Sequence, residues 1–147
     1  MRDVYVPQDP GFLRWLETGN LGHFDFTKWP ERIGESVARG VVFRRARIVS
    51  EPVTDYIRYE HALTGPNNLA AGEQVRRLPR RQASDIALPG NDFWVFDDQL
   101  IRFHHFAGDG SIVEDELCDE PAVIQLCISA FEAVWERAVD HAEYKLI

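Results

Sequence analysis

Asn91-Asp92-Phe93-Trp94-Val95-Phe96-Asp97-Asp98-Gln99-Leu100-Ile101-Arg102-Phe103-His104-His105-Phe106 is the stretch whose reading decides how this chain folds. Two runs of aromatic and branched residues meet at the acidic pair Asp97 and Asp98, the pattern of two strands joined by a tight turn. Pro89-Gly90-Asn91 turns the chain into this hairpin. Ala107-Gly108-Asp109-Gly110 turns it out again, toward a short last strand near Ser111 to Glu114.

The segments upstream alternate helix and strand. Pro10 to Glu17 carries Phe12, Leu13, Trp15 and Leu16 in a short helical pattern, stopped by Thr18-Gly19-Asn20. Thr27 to Arg39 reads as a helix, with Thr27 as N-cap, Pro30 in the first turn and Gly40 past the end. Val41 to Val49 is a strand whose alternation puts Val42, Arg44, Ala46 and Ile48 on one face and Phe43, Arg45 and Arg47 on the other. Ser50 is expected to cap the next helix, which carries Val53, Tyr56, Ile57, Glu60 and Leu63 and which Thr64-Gly65-Pro66 is expected to end. Asn67-Asn68 can open a further turn, and Gln74 to Leu78, closed by Pro79, reads as an arginine-rich strand near an edge.

Downstream of the hairpin lies the C-terminal helix, with Asp119 as expected N-cap and Pro121 in the first turn. Ile124, Cys127, Ile128, Phe131, Val134, Trp135 and Ala138 form its apolar stripe. The order of elements describes a single α/β domain over residues 1–147. Its expected form is a single-layer mixed sheet of about five strands packed by helices, with residues 1–40 as a helical segment on the sheet. A strand-helix-strand crossover of this kind is right-handed when its strands are parallel.

At 147 residues, one core is the default, and a domain of this size buries roughly 70% of the surface its unfolded chain exposes. Apolar residues make up 45% and charged residues 27%, ordinary for a globular protein, and an aromatic content of 12% argues against extended disorder. No segment has the apolar run of a signal peptide or a membrane span, so a cytoplasmic protein with no membrane partner is expected. Cys118 and Cys127 lack neighbouring Cys or His at metal-ligand spacing, and neither a metal site nor a cofactor motif is read from the chain.

The net charge of −8 is unevenly spread. Between Arg39 and Arg81 there are nine arginines against Glu51, Asp55, Glu60 and Glu73; from Asp109 to Glu143 there are ten acids against Arg137 alone. Such asymmetry marks either a basic binding face or two halves that attract each other in the fold. Arg45 and Arg47, joined on their face by Arg76 or Arg77, would grip phosphates bidentately, with Tyr56 and Tyr59 as stacking surface, or else pair with Glu51, Asp55, Glu60 and the acids of the C-terminal segment.

The hairpin offers a second set. Asp97 and Asp98 suit paired-carboxylate chemistry, although aspartates also occupy turns for backbone reasons. His104 and His105 are adjacent on a strand and face opposite ways. Arg102 shares a face with His104 and would suit an anion, whereas His105 reads as a partly buried histidine satisfied by a neighbour. No phosphate loop, nucleophile elbow, His-Glu-x-x-His or dinucleotide fingerprint occurs.

Several blocks in order carry a resemblance. Arg45-Ala46-Arg47-Ile48-Val49-Ser50-Glu51-Pro52, Asp55-Tyr56-Ile57-Arg58-Tyr59-Glu60, Ala71-Gly72-Glu73, Leu78-Pro79-Arg80-Arg81, Asn91 to Asp97 and Ala133-Val134-Trp135-Glu136-Arg137-Ala138 are similar to an actinobacterial domain family of unknown function. Its members are encoded beside helix-turn-helix regulators, which implies a helix-turn-helix regulator as partner. In architecture the chain also resembles half of a phospholipase D-type domain. It lacks that superfamily's His-x-Lys, because His104 is followed by His105 and Phe106.

The leading expectation is therefore a non-catalytic ligand- or partner-binding domain working with such a regulator. Its candidate site is Arg45, Arg47, Tyr56, Glu60, Arg76, Arg77, Arg102 and His104, suited to a small anionic ligand, with the chain alone or as a homodimer. The enzyme alternative is a divergent phosphodiesterase or nucleotide-processing protein using His104, Arg102 and Asp97. Nucleic-acid binding through the arginine face is the third reading, opposed by the acidic total.

Overall fold

A computed structural model describes residues 2–147. Helix α1 (Pro10–Thr18) starts where the Asp9 carboxylate accepts from the Phe12 N–H at 2.8 Å and ends at Gly19, whose φ of 67° closes the last turn. Helix α2 (Lys28–Ala38) follows. Strand β1 (Arg44–Val49) leads into α3 (Asp55–Leu63), and β2 (Gln74–Pro79) returns parallel to β1, with Arg47 opposite Arg77. Thr54, not Ser50, caps α3 by accepting from the Ile57 N–H. Ser50 instead bonds to Asp3.

Thr64-Gly65-Pro66 does not end the helical path. It widens into a π turn over Thr64–Leu69, in which the Ala70 N–H reaches the Gly65 carbonyl five residues back. Proline has no N–H to give to an i−4 carbonyl, and the wider turn accommodates the loss.

The hairpin forms as read: β3 (Asp92–Phe96) and β4 (Leu100–Phe106) pair antiparallel, with Asp97 and Asp98 at φ of 49° and 56° in the turn. Strand β5 (Ile112–Cys118) adds to β4 and is longer than the sequence suggests. Its Glu114-Asp115-Glu116 run hid it, yet an exposed edge tolerates charge, and two of these acids pair across to histidines and an arginine of β4. Helix α4 (Pro121–Arg137), with N-cap Glu120, precedes the two-residue strand β6 (Val139–Asp140) beside β2.

The expected single five-stranded layer is not what forms. There are two three-stranded sheets, ordered β1-β2-β6 and β3-β4-β5. Strands β1 and β3 are outer strands of their sheets and do not pair with each other. Helix α4 packs against both sheets and holds them together. Its Cys127, Ala130, Val134 and Trp135 are buried, and Val134 joins Ile48, Leu78, Ala83 and Ala138 in one cluster. A second cluster unites Val49, Val53, Ile57 and Tyr144. Each large side chain so buried is worth roughly 1.5–3 kcal/mol before chain entropy is counted.

The N-terminal segment straps the two sheets at one end. Asp3 accepts from the Ser50 N–H and hydroxyl, both at 2.7 Å, while Arg2 donates to the Ala107 carbonyl and the Tyr5 hydroxyl donates to Asp92 at 2.6 Å. Helix α1 packs on α3 through rings: Phe12 meets Tyr56 edge-on at 5.3 Å, and Trp15 lies 5.7 Å from Tyr59. Among the described residues, no helix is long and apolar enough to cross a membrane.

Candidate functional site: an arginine-lined cleft between two sheet edges

The separation of β1 from β3 leaves a cleft of about 560 Å³, within the size range of small-molecule sites. Arg44 to Ile48 form one wall and Asp92 to Trp94 with His104 and Phe106 the other; α3 supplies Tyr56 and Glu60, and α4 supplies Phe131 and Val134. Of the residues singled out in the sequence, Arg45, Arg47, Tyr56, Glu60 and His104 all line it.

Each arginine of the cleft is held by a different device. Arg44 makes a bidentate pair with Glu132 at 2.6 and 3.1 Å and lies over the Phe131 ring. Arg45 reaches Glu73 at 2.7 Å, with its guanidinium 4.8 Å from the Trp94 ring and 5.8 Å from the Trp29 ring, so one cation ties β1 to the opposite wall. Arg47 donates to the Thr64 hydroxyl at 2.5 Å and lies 3.3 Å from Glu60.

Glu73 is the residue that the sequence did not bring forward. Its side chain is 0% exposed, and it accepts from the Trp29 indole, the Asn68 amide and Arg45. It sits just after Gly72, whose φ of 94° aims the chain into β2, and the π turn presents Asn68 to it. The signal available was Ala71-Gly72-Glu73, a glycine turn ahead of a strand, but only the parallel return of β2 beside β1 delivers the carboxylate to Arg45.

Behind Arg47 the polar network continues inward. Arg77, not Arg76, shares the face of Arg45 and Arg47, as the register dictates. It is fully buried and bonds to Thr64 at 3.1 Å, to Glu60 at 3.3 Å and to His141. Burial, reinforced by Arg47, brings the Arg77 guanidinium down to about 10. Burial and the Arg77 charge bring His141 down to about 4, and His61, whose tilted ring lies 4.3 Å from it, is lowered for the same two reasons. Burial likewise lowers Arg47 and raises the Tyr5 and Tyr56 hydroxyls. Two guanidiniums, Arg47 and Arg77, thus share the single carboxylate of Glu60.

Arg76, Asp97, Arg102 and His105 do not line the cleft. Arg76 projects to the opposite face, 2.8 Å from Asp140 and over the Trp135 ring. Arg102 and His104 converge, but on Asp115: both bond to its carboxylate, His104 at 2.6 Å. Asp97 lies in the hairpin turn, five residues before Arg102 in sequence, and His104 is four residues along β4 from Leu100 at the turn. That is about 13 Å of strand, so the trio His104, Arg102 and Asp97 is not assembled. His105 bonds to Glu116 at 2.9 Å on the other face, the satisfied histidine that alternation implied. Among the described residues no cluster of three or more His, Cys, Asp or Glu could hold a metal ion.

A family model described as a domain of unknown function, DUF6879, matches residues 1–146, and the chain belongs to that family. No curated protein matches, and no solved structure does.

Proposed function

We propose that this member of the family is a binding module whose cleft receives an anionic group, working without catalysis alongside a helix-turn-helix regulator. The observation that carries the reading is the sharing of Glu60 by Arg47 and Arg77. With Arg45 balanced by Glu73, that part of the network holds one guanidinium more than it has carboxylates. An anion entering the cleft beside Arg47 would complete it, and the low dielectric of a partly buried site strengthens the attraction. Tyr56, Trp94 and Phe106 supply the apolar walls that binding sites of this size favour.

The regulator as partner follows from the family resemblance read in the sequence, as does the actinobacterial setting; the phospholipase D-like architecture is a separate resemblance of the element order. The enzyme alternative retains one favourable observation, that His104 lines the cleft while bonded to Asp115. Turnover of a generic phosphodiester, lost in His104→Ala, would establish it. Nucleic-acid binding is disfavoured by the pairing of Arg44, Arg45, Arg47, Arg76 and Arg77 with acids of the chain.

The test is a titration with inorganic phosphate at low ionic strength. Wild type is expected to bind weakly and saturably, in the millimolar range, and Arg47→Gln to lose that binding without loss of fold. Equal binding by both proteins, or none by either, would refute the anion site.

A further inference from the structure

Five consecutive residues of β1, Arg44 to Ile48, line the cleft. Side chains of a strand alternate between its faces, so a cavity that touches each successive residue runs along the strand's edge. Asp92, Phe93 and Trp94 of β3 give the same signature on the facing wall. Both strands are the outer members of their sheets.

The direction of the backbone groups along β1 follows from its neighbours. The Gln74 N–H donates to the Phe43 carbonyl at 2.9 Å, and the register runs parallel from Arg44 opposite Gln74. Phe43, Arg45 and Arg47 therefore turn their amides and carbonyls toward β2, and Arg44, Ala46 and Ile48 turn theirs toward the cleft. The far end of this edge is already engaged: the Ile48 carbonyl accepts from Arg80 at 3.3 Å and the Ser50 N–H donates to Asp3 at 2.7 Å. The Ala46 N–H and carbonyl thus point away from β2 and into the cleft.

We propose that the occupant of the cleft is an extended, acidic peptide segment that adds as a strand to the free edge of β1. The proposal rests on the anion-site reading above and names what bears the anion. A small anion beside Arg47 would not engage the Ala46 backbone groups, whereas a peptide supplies both the carboxylate and the main-chain partners. The edge from Arg44 to Ile48 spans about 13 Å at 3.3 Å per residue, a length that four or five residues of extended chain would cover. Arg44 is paired with Glu132 and Arg45 with Glu73, so the charge left to select an acidic side chain is that of Arg47, which shares Glu60 with Arg77. Phe131 and Val134 from α4, with Tyr56 and Leu63 from α3, give the alternate side chains apolar surface. An added strand there would continue the β1-β2-β6 sheet toward β3.

The probe is an acetylated heptapeptide alternating valine with glutamate, compared with lysine and glutamine counterparts and with inorganic phosphate. Calorimetry reads affinity, and amide hydrogen exchange reads Ala46. The glutamate peptide is expected to bind at least tenfold tighter than the lysine peptide and to slow exchange at the Ala46 amide. Ala46→Pro removes an N–H on the cleft side while leaving the β2 side intact, and proline is tolerated at strand edges. It should weaken peptide binding tenfold or more. If that variant fails to fold, exchange at Ala46 in the wild type decides the matter.

Phosphate binding that depends on Arg47, with no peptide binding, overturns the added strand and leaves the anion site standing. Peptide binding that is unchanged in a folded Ala46→Pro, or that leaves Ala46 exchange unaltered, overturns it as well. No binding of phosphate or peptide overturns both readings.

Discussion

Replacing Glu73 tests whether the cleft's wall is built on a buried ion pair. The carboxylate is fully inaccessible and accepts from Trp29, Asn68 and Arg45. Glu73→Ala strips all three donors of their partner and leaves a guanidinium without its counterion. Removing one member of a buried pair costs about 3–5 kcal/mol, but the Arg45 side chain is 26% exposed and can turn toward water in the cleft. The lower end, about 3 kcal/mol, is therefore expected. For a chain of this length that corresponds to a fall of about 6–12 °C in thermal midpoint. Glu73→Gln keeps the volume and one acceptor oxygen but no charge, and should fall between wild type and Glu73→Ala. Urea unfolding, with calorimetry for the midpoint, measures both. A loss below about 1 kcal/mol in Glu73→Ala, or Glu73→Gln as damaging as Glu73→Ala, would refute the buried-pair reasoning.

The remaining predictions concern the interior and the hairpin. His141 is held down to about 4 in the folded chain. The unfolded chain therefore binds a proton that the folded one refuses between about pH 6.5 and pH 4, and stability should be lost as pH falls through that window. Urea midpoints at pH 7 and pH 5 should differ in wild type, and by less in His141→Asn; an equal difference in both would remove His141 from the explanation. Cys127 is fully buried in α4, so Cys127→Asp should cost several kcal/mol or abolish folding, whereas an unchanged thermal midpoint would contradict the packing of that helix. Asp98 adopts a φ of 56°, a left-handed conformation in which glycine is less strained. Asp98→Gly should stabilise the hairpin by about 0.5–1 kcal/mol, with denaturant unfolding as the check.

How much of this was legible depends on which residues speak locally. The hairpin was readable because aromatic and branched runs flank Asp97-Asp98, and those aspartates occupy positive φ for the backbone reason that turns give them. The alternation of β1 correctly placed Arg45 and Arg47 together, and these two with Tyr56, Glu60 and His104 meet at one cleft. Choosing Arg77 over Arg76 was beyond the sequence, because it depends on the register between β1 and β2. Glu73, Thr64 and His141 were missed for a related reason: each reaches the network through pairing between segments far apart in sequence.

The division into two sheets was hidden because strand patterns state that strands exist, not which edges meet. Strand β5 was underestimated since Glu114, Asp115 and Glu116 look like loop until Arg102, His104 and His105 stand opposite them. Proline at position 66 read as a stop, and the chain instead widened its helix into a π turn that positions Asn68 against Glu73.

The most direct measurement follows the tryptophan indole signals by nuclear magnetic resonance as the glutamate heptapeptide is added. Trp29 and Trp94 line the cleft, whereas Trp15 lies on α1 against Tyr59. Occupation of the cleft should shift the Trp94 and Trp29 indole N–H signals saturably and leave Trp15 in place, and Arg47→Gln should weaken the effect. Signals that stay fixed throughout the titration, or a shift confined to Trp15, would contradict binding between the two sheet edges.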